Sequence, residues 1–221
     1  MEEPWVCIFG VDEKGDAIRP TLPLPKRISE DYAKENNIRP FNEIEFDLTP
    51  QDRVKAPHLE DWLLNQEYKP KFIRKLSLDE QGDFLEKIRD KSVRDIFGAE
   101  IHDCKYVNEG EGNRSLGTIK AEDIKFVDYS LNEYKSFDYR MIFLNQGESY
   151  DLSITDLRFR NYCDYLRIHE RKEFVIISGS ILHELINSVV FFRIGLARPF
   201  AKKQNRCYLQ ISGVYAFPDY M

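Results

Sequence analysis

Residues 139–159, YRMIFLNQGESYDLSITDLRF, carry the reading that decides the fold. Tyr139–Asn145 is rich in aromatic and long apolar side chains, Gln146-Gly147-Glu148 supplies a turn, and Ser149–Ile154 reads as the strand that leaves it. Thr155 or Asp156 then offers a side-chain oxygen to cap a helix. Over Leu157–Arg171, Phe159, Tyr162, Cys163 and Leu166 recur at i, i+3, i+4 and i+7, while Arg160, Arg167 and Arg171 share another face. Strand, turn, strand and capped amphipathic helix in direct succession point to an α+β chain.

Towards the C-terminus three β-rich runs follow, Phe174–Ile177, Ser188–Leu196 and Cys207–Phe217, with a short helical insertion at Ser180–Ile186. The basic loop Ala201–Arg206 separates the last two. Towards the N-terminus, Thr118–Tyr129 is again β-like, and the loop Glu109–Arg114, EGEGNR, is the best boundary between halves. It contains Gly-x-Gly but lacks the third glycine of a phosphate-cradling loop. Ser77 with Glu80 forms a capping-box signature ahead of a helix over about Leu78–Phe97. Glu43–Leu48, EIEFDL, alternates at period two, with Ile44, Phe46 and Leu48 facing inward. Trp5–Val11 leads through Asp12-Glu13-Lys14-Gly15 into a return strand at Ala17–Arg19. The expected organisation is α+β and strand-dominated, with residues 1–110 as a first half holding a helical insertion at about 77–97 and residues 111–221 as a second half.

The chain has 221 residues and 32 Lys+Arg against 38 Asp+Glu, a formal charge of −6, which argues against coating nucleic acid by bulk electrostatics. No apolar run approaches a membrane span, and the acidic start MEEPWVCIFG lacks the basic region of a signal peptide, so a soluble, cytoplasmic protein is expected. The charge is unevenly placed. Residues 158–206 hold ten Lys or Arg against four acids, +6, leaving −12 for the remainder. Cys7, Cys104, Cys163 and Cys207 lie too far apart for a local zinc site and read as reduced, buried thiols, with Cys7 and Cys207 packed inside apolar runs. Only His102 and Cys104 stand close together, and two ligands do not make a metal site. No metal or cofactor is expected.

The blocks CIFGVDEKGDAIRP at Cys7–Pro20, PHLEDW at Pro57–Trp62, SITDLR at Ser153–Arg158, and IGLARPF with CYLQISGVYAFPDY near the end resemble, in this order, the dual OB-containing domain family. That family is found in prokaryotic conflict and anti-phage loci. The resemblance implies two OB-like β-barrels with helical insertions, and a nucleic-acid-binding or sensing role beside a separate effector protein of the same defence locus. It implies no known catalytic activity. The chain departs from the family pattern at Ala197, where a hydroxyl residue is usual, and in its own elaboration over Glu67–Tyr106.

An OB barrel holds single strands by pairing a basic groove with aromatic faces on which bases stack. Candidate DNA or RNA contacts are Arg19, Arg193, Arg198, Phe200, Lys202, Lys203, Arg206, Tyr208 and Tyr215, although alternation along a strand turns one set of aromatics inward. Arg19 and Arg198 each precede a proline. Such an arginine either grips a phosphate in a bidentate way or pairs with a carboxylate, for which Asp156, Glu60 and Asp61 are available. The polar motif residues His58, Glu60, Asp61 and Asp156 suit metal or acid–base chemistry on one reading, and a structural ion pair or cap on the other. No nucleophile elbow, H-E-x-x-H or P-loop is present, so a non-enzymatic module is expected. A metal-dependent nuclease built on Asp156, Glu60 and a lysine is the enzymatic alternative. A protein-interaction subunit that docks an effector enzyme without touching nucleic acid is the other.

Overall fold

In the computed structural model, which describes residues 5–23, 26–51, 54–199 and 205–221, the chain divides into two units, Met1–Ile88 and Arg89–Met221. The loop at 109–114 lies inside the second unit.

The first unit begins with a hairpin of β1 (Gly10–Val11) and β2 (Ala17–Thr21). Its turn is held by Asp12, whose Oδ1 accepts the N–H groups of Lys14 at 2.9 Å and Asp16 at 2.8 Å. Helix α1 (Glu30–Glu35) starts at Ser29, whose hydroxyl accepts the Tyr32 N–H at 3.1 Å. The run EIEFDL is divided between β3 (Asn42–Glu45) and β4 (Leu48–Pro50). Its two ends have different partners: of β5 (Asp61–Leu64) and β6 (Lys71–Lys75), β5 pairs with β4 and β6 with β3. The larger sheet runs β1-β2-β5-β4, with β2 and β5 parallel. Helix α2 (Leu78–Ile88) opens with the expected capping box, the Ser77 N–H reaching Glu80 Oε2 at 2.8 Å and the Glu80 N–H reaching Ser77 Oγ at 3.3 Å. The Ser77 N–H first, and then a hydrogen bond that Arg74 donates to Glu80 Oε1 at 2.6 Å, hold the Glu80 carboxyl down at about 2.

The single helix expected over 78–97 is two helices, α2 and α3 (Val93–Ile96). The interruption has a cause. Asp90 donates its N–H to Thr118 O at 2.7 Å, and its Oδ2 accepts the Thr118 N–H at 3.2 Å, so the residue serves as a strand partner instead of continuing a helix.

In the second unit β7 (Tyr106–Asn108), β8 (Leu116–Lys120), β9 (Asp123–Leu131), β10 (Phe137–Asn145) and β11 (Glu148–Ile154) precede α4 (Leu157–Ile168) and α5 (Phe174–Ile186), and β12 (Val189–Leu196) and β13 (Arg206–Phe217) follow. The sheet order is β8-β12-β13-β11-β10-β9, with β7 also on β13. Strands β10 and β11 meet through Gln146 and Gly147 at φ 49° and 80°, the left-handed pair that a tight hairpin turn demands. Phe174–Ile177, expected as a strand, is the first turn of α5: Ile177, Ile181 and Leu185 fall on one helical face and are buried, so packing overrides the β preference of the run.

Both outer edges of this sheet are covered among the described residues. Ser178 of α5 accepts the Tyr129 N–H of β9 at 3.0 Å, and Asp90 covers β8. Asp90 comes so close that a Cβ at Gly117 would lie 2.5 Å from its Oδ2 and 2.6 Å from Ile96 Cγ2. The core is continuous within the unit; Phe143 stacks on Tyr150 at 5.4 Å and meets Phe192 edge-on at 5.0 Å.

Strands and isolated bridges hold 38% of the described residues and helices 22%, so the fold is α+β and strand-dominated, with OB-like units and helical insertions. In the pairings of the described residues none of the three sheets closes on itself. No described helix is long and apolar enough to cross a membrane.

Candidate nucleic-acid interface

The start of β13 is bonded on both edges. Within the peptide joining Tyr208 to Leu209, the carbonyl accepts Ala197 N–H at 2.8 Å and the N–H reaches Lys105 O at 2.8 Å. Its register with β7 places Tyr106 opposite Tyr208, Val107 opposite Cys207 and Asn108 opposite Arg206. Val107 and Cys207 are fully buried, so alternation turns Tyr106, Asn108, Arg206 and Tyr208 to the other face together.

The turn before β7 adds a third ring. Asp103 and Cys104, both at φ 53°, fold the chain back so that His102 bridges Tyr106 and its ring stacks at 5.2 Å and 29°. Tyr106 and Tyr208 lie 5.7 Å apart, and the Arg206 guanidinium sits 4.4 Å from the Tyr106 centroid. Arg206 is exposed, and its pKa is raised first by a hydrogen bond with Tyr208. The His102 nitrogens are also engaged: Asn108 Nδ2 lies 3.1 Å from Nε2, and Glu100 Oε1 lies 4.0 Å from Nδ1. This face joins stackable rings to a cation, the two materials a single-stranded nucleic acid needs.

The sequence candidates are distributed as follows. Arg206 and Tyr208 lie on this face, and exposed Arg198 follows Ala197, which is bonded to Tyr208. Phe200, Lys202 and Lys203 lie outside the described residues. Arg19 is 6% exposed and bonds Asp61 Oδ1 through Nε at 2.5 Å, with Glu60 at 3.5 Å. Burial works to lower its pKa, but the Asp61 hydrogen bond and the two carboxylates raise it overall. Of the two readings of Arg19, the structural ion pair is the one adopted, and Arg19 leaves the contact surface. Arg193 leaves it too: it is buried between Thr118 and Gly213, and desolvation depresses its pKa against the pull of Tyr215 and Asp90. Tyr215 keeps part of its surface exposed, but burial of its hydroxyl raises that group's pKa.

Glu60 and Asp61 serve the ion pair with Arg19, and His58 is buried in the same unit. Asp156 caps α4, accepting the Arg158 N–H at 2.8 Å and the Val214 N–H of β13 at 2.8 Å, and burial raises its pKa. Glu60 belongs to the first unit and Asp156 to the second. Among the described residues no group of three or more His, Cys, Asp or Glu is placed to hold a metal. Cys163 and Cys207 are buried, and burial pushes the Cys163 thiol up to about 12. Cys7 is exposed, contrary to its expected packing role, and lies outside the ladder of β1, which begins at Gly10.

One cation of the +6 stretch is paired with an acid outside it, Arg158 with Asp219 at 3.2 Å; the pairs of Arg167 with Asp164 at 3.1 Å and Lys172 with Glu170 at 2.7 Å lie inside the stretch and leave its net charge unchanged. Tyr106, His102 and Asn108 were not among the candidates. Their signal was the alternation Tyr-Val-Asn, too short for a periodicity argument, and only pairing with β13 reveals it.

One comparison is positive. The family model described as the dual OB-containing domain matches residues 2–214. No curated protein and no solved structure matches.

Proposed function

Because the chain belongs to the dual OB-containing domain family, we propose that it is a non-catalytic nucleic-acid-binding module of a prokaryotic defence system, holding single-stranded DNA or RNA on the β7–β13 face of its second unit. The observation that carries this reading is the grouping of Tyr106, Tyr208, His102 and Arg206 on one face. Bases stack on rings whatever their sequence, each contact worth about 1–3 kcal/mol, and Arg206 supplies charge for the backbone. The defence setting rests on the family resemblance alone. Fluorescence anisotropy of the full chain with labelled single strands tests the reading: binding at low salt that weakens as salt rises is expected. Absence of binding to DNA and RNA of every form at low salt would overturn it.

A second reading is favoured by one feature of the same unit. Ile168, Val175, Ile176 and Ile186 on α4 and α5 expose large apolar surface, Val175 at 78%. Apolar surface of this kind marks protein contacts, here with an effector. Val175→Asp with Ile176→Asp would abolish co-purification with a neighbour-encoded protein while leaving oligonucleotide affinity intact; retained co-purification would count against it.

A further inference from the structure

The rim of the aromatic face carries hydrogen-bond acceptors, and their arrangement follows from one chain of contacts. Asn108 Nδ2 lies 3.1 Å from His102 Nε2 and donates to Glu111 Oε1 at 3.3 Å. A carboxylate accepts only, so Glu111 requires the amide nitrogen, not its oxygen, to face it. The other amide hydrogen then meets His102 Nε2 as an acceptor, which places the ring proton on Nδ1, towards Glu100 Oε1 at 4.0 Å. Glu100, Asn108 Oδ1 and Glu111 therefore present acceptors around the His102 ring. Glu111 is exposed, as is Glu100, whose side chain is 80% accessible.

Rings edged by carboxylates also suit an organic cation, but here Arg206 already lies over Tyr106 at 4.4 Å and would repel one. What fits is a neutral planar group with paired donors on its edge. Among the bases only guanine presents two adjacent N–H donors, N1–H and the N2 amino group, on its Watson–Crick edge. Adenine and cytosine place an acceptor beside the donor, and uracil and thymine set one donor between two acceptors. A carboxylate matches the guanine pair with two parallel hydrogen bonds.

We infer that the β7–β13 face selects guanine, stacked on the outer face of His102, whose inner face lies on Tyr106, with its Watson–Crick edge held by Glu111. This rests on the proposed nucleic-acid reading and names its ligand more narrowly. It also accounts for carboxylates on a face that binds a polyanion: they lower affinity for every strand but reward one base.

The test is anisotropy with the full chain and single strands of one length carrying a central G, inosine, A, C or U run in a common flank. The expected order is G above inosine, which lacks the N2 amino group, and inosine above A, C and U. A good two-bond pair discriminates by about 5- to 150-fold between G and A. Glu111→Gln, exposed and therefore harmless to folding, would remove the preference while leaving A, C and U binding unchanged or tighter. Equal affinity for all five strands overturns the selectivity and leaves the nucleic-acid reading standing. Loss of the preference on Glu100→Gln but not on Glu111→Gln overturns the assignment to Glu111. Absence of binding to every strand overturns both readings together.

Discussion

Asp156→Ala separates a helix cap from a reactive acid. The carboxylate accepts Arg158 N–H through Oδ1 and Val214 N–H through Oδ2, each at 2.8 Å. Alanine removes the cap, which costs about 1 kcal/mol, and leaves the Val214 N–H buried without its acceptor, about 1–3 kcal/mol more. Burial of the charged carboxyl, which raises its pKa, offsets part of that sum and sets the expected loss at about 2–3 kcal/mol. For a unit of this size, at about 3–4 °C per kcal/mol, the melting temperature falls by roughly 6–12 °C. Asp156→Asn keeps one acceptor but turns an NH2 towards the other N–H, so its transition lies between wild type and alanine. The pH dependence has a definite sign. The folded pKa lies above the unfolded one, so the ionisation penalty is absent below the unfolded value and complete above the folded value. The advantage of wild type over Asp156→Asn is therefore largest in acid and shrinks as pH rises. Thermal unfolding followed by circular dichroism reads both effects. An alanine variant within about 2 °C of wild type, or one no worse than the asparagine variant, would refute the cap.

Three further outcomes are expected. Arg19→Ala leaves Glu60 and Asp61 buried without their cation and should destabilise the first unit by about 3–5 kcal/mol in urea denaturation, with oligonucleotide affinity unchanged below that transition. Gly117→Ala forces a methyl group against Asp90 and Ile96 and should cost about 1–3 kcal/mol; an unchanged urea midpoint would show that Asp90 does not cover the β8 edge. Glu80, held at about 2, contributes stability that is present above its unfolded pKa and lost as pH falls towards 2, so Glu80→Gln should flatten the acid side of the profile of the first unit, and NMR titration should place its midpoint near 2.

Local signals were legible, and non-local ones were not. The β10–β11 hairpin and the cap of α4 lie within 21 consecutive residues, 139–159, each announced by turn or cap chemistry, and the Ser77–Glu80 box was equally local. The alternation of EIEFDL was visible, but its division between β3 and β4 depends on β6 and β5, which come later in the chain. Phe174–Ile177 misled because β-branched residues tolerate a helix when its face has a core to fill. At the site, Arg206 could be picked from the basic loop that ends at it and Tyr208 from the alternation of the last strand. Tyr106 could not, since a three-residue strand has no period and its meaning comes from lying opposite Tyr208. Arg19 carried two readings in sequence that only the parallel register of β2 and β5, with Arg19 opposite Asp61, separates.

The most direct test of where this protein meets nucleic acid is photo-cross-linking of the full chain to a thiouridine-substituted single strand, with the adducts located by mass spectrometry. Adducts in the segments containing Tyr106 and Tyr208, suppressed by excess unlabelled strand and lost with Tyr106→Ala, are the predicted result. Competable adducts confined to the first unit or to α5, with none near Tyr106 or Tyr208, would contradict it.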